Sequence, residues 1–178
     1  MIAIVAVDRN YAIGRRNSML YHLPEDLKHF ARTTRDKVLV MGRATLESFP
    51  GGKPLPKRVN IVLSRNPDFK RDDIVIARDF AQLKDLLMPY QDEDVMLLGG
   101  DSVYHALIDC CKSAIVTKVD AEAPADKYFP NLDEKPNWEL VSCTENMETG
   151  GYTYRICEYR NKRILPLPEN ESLFGGQT

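Results

Sequence analysis

Asp26 stands in Leu23-Pro24-Glu25-Asp26-Leu27-Lys28-His29-Phe30, directly after a polar stretch. Pro24 suits the first position of a helix, where the N–H it lacks would have no intrahelical partner. In such a helix Leu23, Asp26, Leu27 and Phe30 fall three and four residues apart and share one face. Glu25 and Lys28 then take the wet side. A carboxylate among apolar neighbours is costly unless a polar group meets it, which makes Asp26 a candidate for chemistry. The plain alternative is an acid in a first helical turn, where it complements the macrodipole and the free N–H groups.

Two strand-like runs end in glycine and lead into a helix start: Met41-Gly42-Arg43-Ala44-Thr45 and Leu98-Gly99-Gly100-Asp101-Ser102. In an open α/β sheet, ligands bind beyond the carboxyl ends of the strands. Glycine admits a close backbone approach, and helix starts offer N–H groups to phosphate. Two such ends could hold the two phosphates of one dinucleotide, although each taken singly is also an ordinary strand-to-helix turn. Neither is Gly-x-Gly-x-x-Gly, and Gly-x-x-x-x-Gly-Lys-[Ser/Thr] is absent, so the Rossmann fingerprint and the P-loop are both missing.

Arg43, Ser64-Arg65 and Arg78 follow successive strands, so their donors could converge on an extra phosphate. Any one of these arginines alone reads as solvated surface charge. Lys57-Arg58 lies at the opposite, amino end of the third strand. His22, His29 and His105 are scattered and read as structural or surface. The chain has no His/Cys cluster suited to zinc, no Ser-His-Asp order and no paired-carboxylate motif, so no metal is expected. A bound organic cofactor would supply the reactivity.

The elements that position these groups alternate. Ile2–Val7 reads as a strand buried on both faces. Asp8–His22 reads as an irregular polar loop, and its length of about 15 residues favours a functional role. The predicted helix from Pro24 to about Thr34 follows, then a strand over residues 37–41, a short helix from about Ala44 to Phe49 and a turn-rich loop around Gly51-Gly52. Strands are predicted at Val59–Ser64 and Asp73–Ala77, then a helix capped by Asp79 and running to about Leu87. A strand at Val95–Leu98 breaks at Gly99-Gly100. Asp101 or Ser102 is predicted to cap a helix through Ile108, before a strand at Ala114–Val119. Trp138–Thr144 and Tyr152–Tyr159 read as an antiparallel hairpin turning at Thr149-Gly150-Gly151. Repeated β-α-β units closed by a hairpin imply an α/β fold with a mostly parallel sheet and an antiparallel edge. Residues after about Lys162, with Pro166, Pro168 and Gly175-Gly176, read as a flexible tail.

The 178 residues suffice for one domain, 43% are hydrophobic and 28% charged, and the net charge is −2. That balance gives no global pull towards nucleic acid or an anionic membrane. No window approaches a span of about 18 apolar residues, and the first seven residues read as a strand rather than a signal peptide. A cytoplasmic location is expected. Cys110, Cys111, Cys143 and Cys157 match no metal or redox spacing and are expected to be reduced core thiols.

Seven stretches together resemble the dihydrofolate reductase family. They are Ile13-Gly14-Arg15-Arg16-Asn17-Ser18-Met19, Leu23–Phe30, Val40–Ser48, Pro54-Leu55-Pro56, Asn60–Arg65, Leu98-Gly99-Gly100 with Val103-Tyr104, and Asp126-Lys127-Tyr128-Phe129-Pro130. They occur in the family's order and at similar spacing over residues 1 to about 160. The resemblance implies a three-layer fold with helices on both faces over residues 1–162 and a tail at 163–178. It implies reduction of 7,8-dihydrofolate to tetrahydrofolate by hydride from NADPH, in support of one-carbon metabolism and thymidylate and purine synthesis.

On that resemblance Asp26 holds the 2-amino group and N3 edge of the pterin and favours protonation at N5, with Thr117 hydrogen-bonded to it. Ile4, Ala6, Leu27, Phe30, Phe49 and Leu55 would line the substrate site, as would Val5, Leu98 and Tyr104. Arg58 would clamp the substrate's α-carboxylate. Ala6, Ile13, Gly14, Asn17, Ser18 and Met19 would frame the nicotinamide and ribose. Gly42, Ala44 and Thr45, Leu98-Gly99-Gly100 and Asp101-Ser102-Val103-Tyr104 would meet the diphosphate. Arg43, Leu63, Ser64, Arg65 and Arg78 would surround the adenosine end and its 2′-phosphate. Asp8–His22 would be a mobile lid, and Asp126 a residue that contacts it.

The chain departs from the family pattern at Leu20-Tyr21, where Pro-Trp is usual. Tyr21 keeps an aromatic face and a hydroxyl for water, so it is a candidate catalytic residue. Leu46 replaces a signature tryptophan, Ala31 replaces a polar residue, and Asp101-Ser102 puts an acid beside the diphosphate. Antifolate binding and a monomeric state are expected. Two other readings stay open: a reductase of the same fold acting on a ribosylamino-pyrimidine, and a small phospho-receiver module. The receiver would want an acidic pair after the first strand, where Asp8 stands alone.

Overall fold

The apolar runs form the middle of one sheet in this computed structural model, which describes residues 1–169. The strands are β1 (Ile2–Val7), β2 (Ala12–Arg15), β3 (Ser18–Met19), β4 (Val38–Gly42), β5 (Val59–Leu63) and β6 (Val75–Ala77). They continue with β7 (Val95–Gly99), β8 (Ser113–Val119), β9 (Lys127–Tyr128), β10 (Trp138–Cys143), β11 (Met147–Thr149) and β12 (Tyr152–Asn161). The helices are α1 (Pro24–Thr34), α2 (Arg43–Ser48), α3 (Phe80–Leu87) and α4 (Asp101–Leu107).

The main sheet runs β10-β12-β8-β1-β7-β4-β5-β6, and its six strands from β8 to β6 are parallel. Alternate residues of β4 serve its two faces. Leu39 and Met41 join Leu46 of α2 and Phe30 of α1 in one apolar cluster. Val38 and Val40 join Phe80 and Leu83 of α3 and Val103 and Leu107 of α4 in the other. Helices therefore cover both faces, which is why the central strands lack polar alternation. Asp79 caps α3 by accepting from Gln82 N at 2.7 Å.

Several expectations are corrected. Asp8–His22 is not irregular throughout: β2 and β3 form a hairpin, and β2 also pairs with β9 in a separate three-stranded sheet. Arg16 and Asn17, at φ 50° and 58°, form its two-residue turn. Positive φ at both central residues matches the right-handed twist of a hairpin. The predicted strand Trp138–Thr144 is β10, and a further short strand not expected from the sequence, β11, lies between it and the turn; both pair with the long β12. Neither Asp101 nor Ser102 caps α4; Gly100 occupies that place, without a side-chain bond, and Asp101 is the first helical residue.

The cysteine expectation fails at two positions. Cys143 and Cys157 oppose each other directly across β10 and β12 and form a disulfide, S–S 2.03 Å. Directly opposed residues bring their Cβ atoms together, a proximity set by strand register. Cys110 and Cys111 remain thiols, with burial pushing the Cys110 thiol up to about 11. Within the expected tail, Leu165 N donates to Asp109 O at 2.9 Å and Leu167 packs against the core. The Gly175-Gly176 pair lies outside the described residues.

Candidate active site

The α1 spacing puts Asp26 against the sheet as expected. Thr117 Oγ1 donates to Asp26 Oδ1 at 2.6 Å. Strand register explains the meeting: Thr117 lies on β8, flanked by Ala6 of β1 and Ile156 of β12. Only 14% of the Asp26 side chain is exposed. Burial raises its pKa above the usual aspartate value, opposed by the Thr117 hydroxyl and by His29. His29 Nδ1 lies 4.0 Å from Asp26 Oδ1. Sequence reading set His29 aside, although three-residue spacing on a helix makes such neighbours. Glu25 and Lys28 pair outside at 2.8 Å.

The expected apolar wall assembles in large part. Ile4 and Leu98 belong to one buried cluster, with Phe30, Phe49 and Leu55 packed against it. Val5 and Tyr104 lie instead in the cluster on the opposite face. Leu27, on the face it was expected to share with Asp26 and Phe30, is 38% exposed. The apolar face of α1 is thus covered at Leu23 and open at Leu27.

Arg58 is held by the end of α1 and its own loop. Its Nε donates to Thr34 O and Oγ1 at 3.2 and 3.1 Å, NH1 to Pro56 O at 2.7 Å and NH2 to Ala31 O at 2.9 Å. A guanidinium has five N–H donors, so these bonds leave N–H groups on NH1 and NH2 for a carboxylate. Burial and nearby Arg35 lower its pKa. Asn60 is a positioning residue that sequence reading missed. Its side chain bonds Leu55 N, Leu55 O and Arg58 O, fixing the loop between the two. An asparagine in the middle of an apolar strand was the available signal.

The ends of β7, β4, β5 and β6 are neighbours, so the residues beyond them share one rim. Gly42 is in register with Leu63, and Leu63 with Ala77. Arg43, Ser64-Arg65 and Arg78 follow these three ends. Arg43 pairs with Glu47 at 3.5 Å and lies over the Phe69 ring. Arg78 is tied to the backbone of the loop after β5: it donates to Ser64 O at 3.2 Å, to Phe69 O at 2.6 Å and to Asn66 O. Ser64 is buried. Arg78 therefore shapes the rim that carries Arg43 and Arg65.

The glycines allow the β4 and β7 ends to close on each other. A Cβ on Gly42 would stand 3.3 Å from Val103 Cγ2, and one on Gly100 3.3 Å from Thr45 Oγ1. Gly99 has φ 94°, and a Cβ there would fall 2.3 Å from the Tyr104 ring. The Gly99-Gly100 bond is cis. Tyr104 lies beneath it and donates to Ile4 O at 2.6 Å. Asp101 turns away from the rim: its carboxylate accepts from Tyr128 N at 2.9 Å and pairs with His105 at 3.2 Å.

The Asp8–His22 segment is braced from the far loop. Gly14 O accepts from Asp126 N at 3.1 Å, and Asp126 Oδ2 from Arg16 N at 3.0 Å. Ile13 packs against the core, whereas Ser18 and Met19 are exposed. Tyr21 has a partner that sequence reading did not supply: its hydroxyl donates to Asp8 Oδ2 at 2.9 Å.

Glycine-ended strands beside a basic rim, with the largely buried Asp26 on the first helix, suit a dinucleotide-dependent oxidoreductase. Comparison with known proteins narrows the class. The sequence profile described as dihydrofolate reductase matches residues 1–161. Dihydrofolate reductase of Bacillus subtilis (strain 168) is 35% identical over 162 residues, covering 89% of this chain and 93% of that protein. The Haemophilus influenzae enzyme is 36% identical over 136 residues, 76% of this chain and 79% of its own. The solved structure of Enterococcus faecalis dihydrofolate reductase complexed with NADP(H) and RAB-propyl superposes with a TM-score of 0.78 at 29% identity, covering 90% of this chain and 95% of that one. The chain belongs to the dihydrofolate reductase family.

Proposed function

We infer that this chain reduces 7,8-dihydrofolate to 5,6,7,8-tetrahydrofolate with NADPH, and that Asp26 is the residue on which proton transfer depends. The observation that carries the reading is the largely buried Asp26 carboxylate, bonded to Thr117 and next to the open, apolar side of α1. Bound NADPH supplies the hydride. Asp26 holds the 2-amino group and N3 edge of the pterin, and favours a proton at N5 while C6 is reduced. A cation-like pterin edge offsets the desolvation that raises the acid's pKa. Leu27, Phe30, Phe49 and Leu55 enclose the pterin and aminobenzoyl groups. Arg58 presents its remaining N–H groups to the substrate's α-carboxylate.

The rim fits the cofactor in chemistry and shape. Gly42, Gly99 and Gly100 leave the backbone open beside Thr45, and Arg43, Ser64 and Arg65 offer donors to a 2′-phosphate. The lid from Asp8 to His22, braced by Asp126, excludes water from the reacting atoms. We expect a cytoplasmic monomer that binds antifolates at the Asp26 site and binds neither nucleic acid nor membrane.

Purified protein should oxidise NADPH only when dihydrofolate is added; absence of turnover contradicts the reading. Arg43→Ala should weaken NADPH by roughly tenfold, the loss of one charge-assisted interaction, and leave NADH affinity nearly unchanged. Equal losses for the two cofactors in a binding titration would remove Arg43 from 2′-phosphate recognition. Arg58→Lys gives up the fork that rests on Thr34, Pro56 and Ala31. It should raise KM for dihydrofolate roughly tenfold with little change in kcat. An unchanged KM would show that Arg58 has only a structural role.

A further inference from the structure

Asp8 is 3% exposed, yet the reaction described above gives it no part. Its carboxylate gathers four donors. Oδ1 accepts from Asn10 N at 2.8 Å and Ala12 N at 3.0 Å. Oδ2 accepts from Tyr21 OH at 2.9 Å and Ala123 N at 3.3 Å. These donors come from three places: the start of the lid, its end, and the loop that leads to Asp126. The Tyr21 ring also meets Tyr152 of β12 edge to face, centroids 5.0 Å apart. One saturated carboxylate therefore ties both ends of the lid to the loop that braces its middle.

A phenol has one O–H to give. With that hydrogen on Asp8, Tyr21 cannot donate it to N5 or to a water beside N5. Burial, with the Asp8 bond, also pushes the Tyr21 pKa far above its ordinary value, so the hydroxyl is a poor acid.

We propose that Asp8 and Tyr21 are positioning residues that form a latch: Asp8 is the anchor, Tyr21 is the arm, and their bond holds the lid in the conformation that grips NADPH. This reassigns Tyr21 from the proton path to lid placement. It also explains how the chain works with Tyr21 where its family has tryptophan: the hydroxyl supplies a tether to Asp8. The inference rests on the reductase reading, and turnover of dihydrofolate by the wild-type protein in the same assay tests that reading separately.

The experiment compares Tyr21→Phe, Asp8→Asn and the double variant. Equilibrium NADPH titration, hydride-transfer rates across pH and thermal melting are measured for each. The latch predicts that Tyr21→Phe weakens NADPH by about tenfold, the size of one bond to a charged acceptor. Asp8→Asn should weaken NADPH at least as much, and the double variant no further, because the two act as one unit. The pH midpoint of hydride transfer should stay at its wild-type value in Tyr21→Phe. Unchanged NADPH affinity with a shifted midpoint in Tyr21→Phe would return the hydroxyl to the proton path and overturn the proposal. Additive losses in the double variant would overturn it too. Should Asp8→Asn fail to fold, Tyr21→Phe alone decides through its NADPH affinity and pH midpoint.

Discussion

Asp26→Asn loses most of its turnover at neutral pH and, at the same pH, resists unfolding better than the wild-type protein. The activity loss is expected at about 10²-fold or more, the usual scale for a positioned acid–base group. The variant has no carboxylate to favour a proton at N5, so its rate should climb as pH falls and bulk acid takes over. The stability gain follows from the raised pKa. Below the aspartate pKa of the unfolded chain, the group is neutral in both states and contributes no penalty. As pH rises through the higher folded-state value, the folded protein must carry a charge in a poorly solvated place, and stability is lost. Asparagine keeps an acceptor for Thr117 and never ionises. Denaturant melts should show the gain near neutrality and its disappearance in acid. A less stable variant at neutral pH, or one with wild-type kcat, contradicts the role given to Asp26.

Gly99→Ala is expected to cost about 3 kcal/mol or more, through overpacking and backbone strain together. Its Cβ would stand 2.3 Å from the Tyr104 ring, and φ 94° disfavours any side chain. Tyr104 cannot swing aside cheaply, because its hydroxyl is bonded to Ile4 O and its ring packs edge to face on Phe129. The shift should reach both the cofactor rim and β1, so NADPH affinity should fall with stability. Adding Tyr104→Leu should recover part of the lost stability by vacating the space. A Gly99→Ala protein with native stability and native NADPH affinity would show that the rim tolerates a side chain.

The sequence made the scaffold readable where local signals were strong. Pro24 and the spacing of Leu23, Asp26 and Phe30 located α1, and the continuous apolar runs located β1, β4, β5 and β7. The three arginines after successive strands stand on one rim because those strands are neighbours. What escaped depends on long-range partners. Asp8 meets donors 13 and 115 residues away, and Arg58 is held by Thr34, 24 residues before it. The Cys143–Cys157 pair follows from the register of β10 on β12, which spacing does not encode. The β2–β3 hairpin was missed because its strands are short and its turn uses Arg16-Asn17 without glycine. The exposure of Leu27 was not legible because amphipathic spacing says which residues share a face, and not how much of that face another element covers.

The destination of the hydride tests the account most directly. Dihydrofolate is turned over with NADPH deuterated at its transferable position, and the product is examined by NMR. The account predicts tetrahydrofolate with the deuterium at C6 and solvent hydrogen at N5. Tetrahydrofolate without label at C6, or oxidised cofactor with dihydrofolate unchanged, would contradict it.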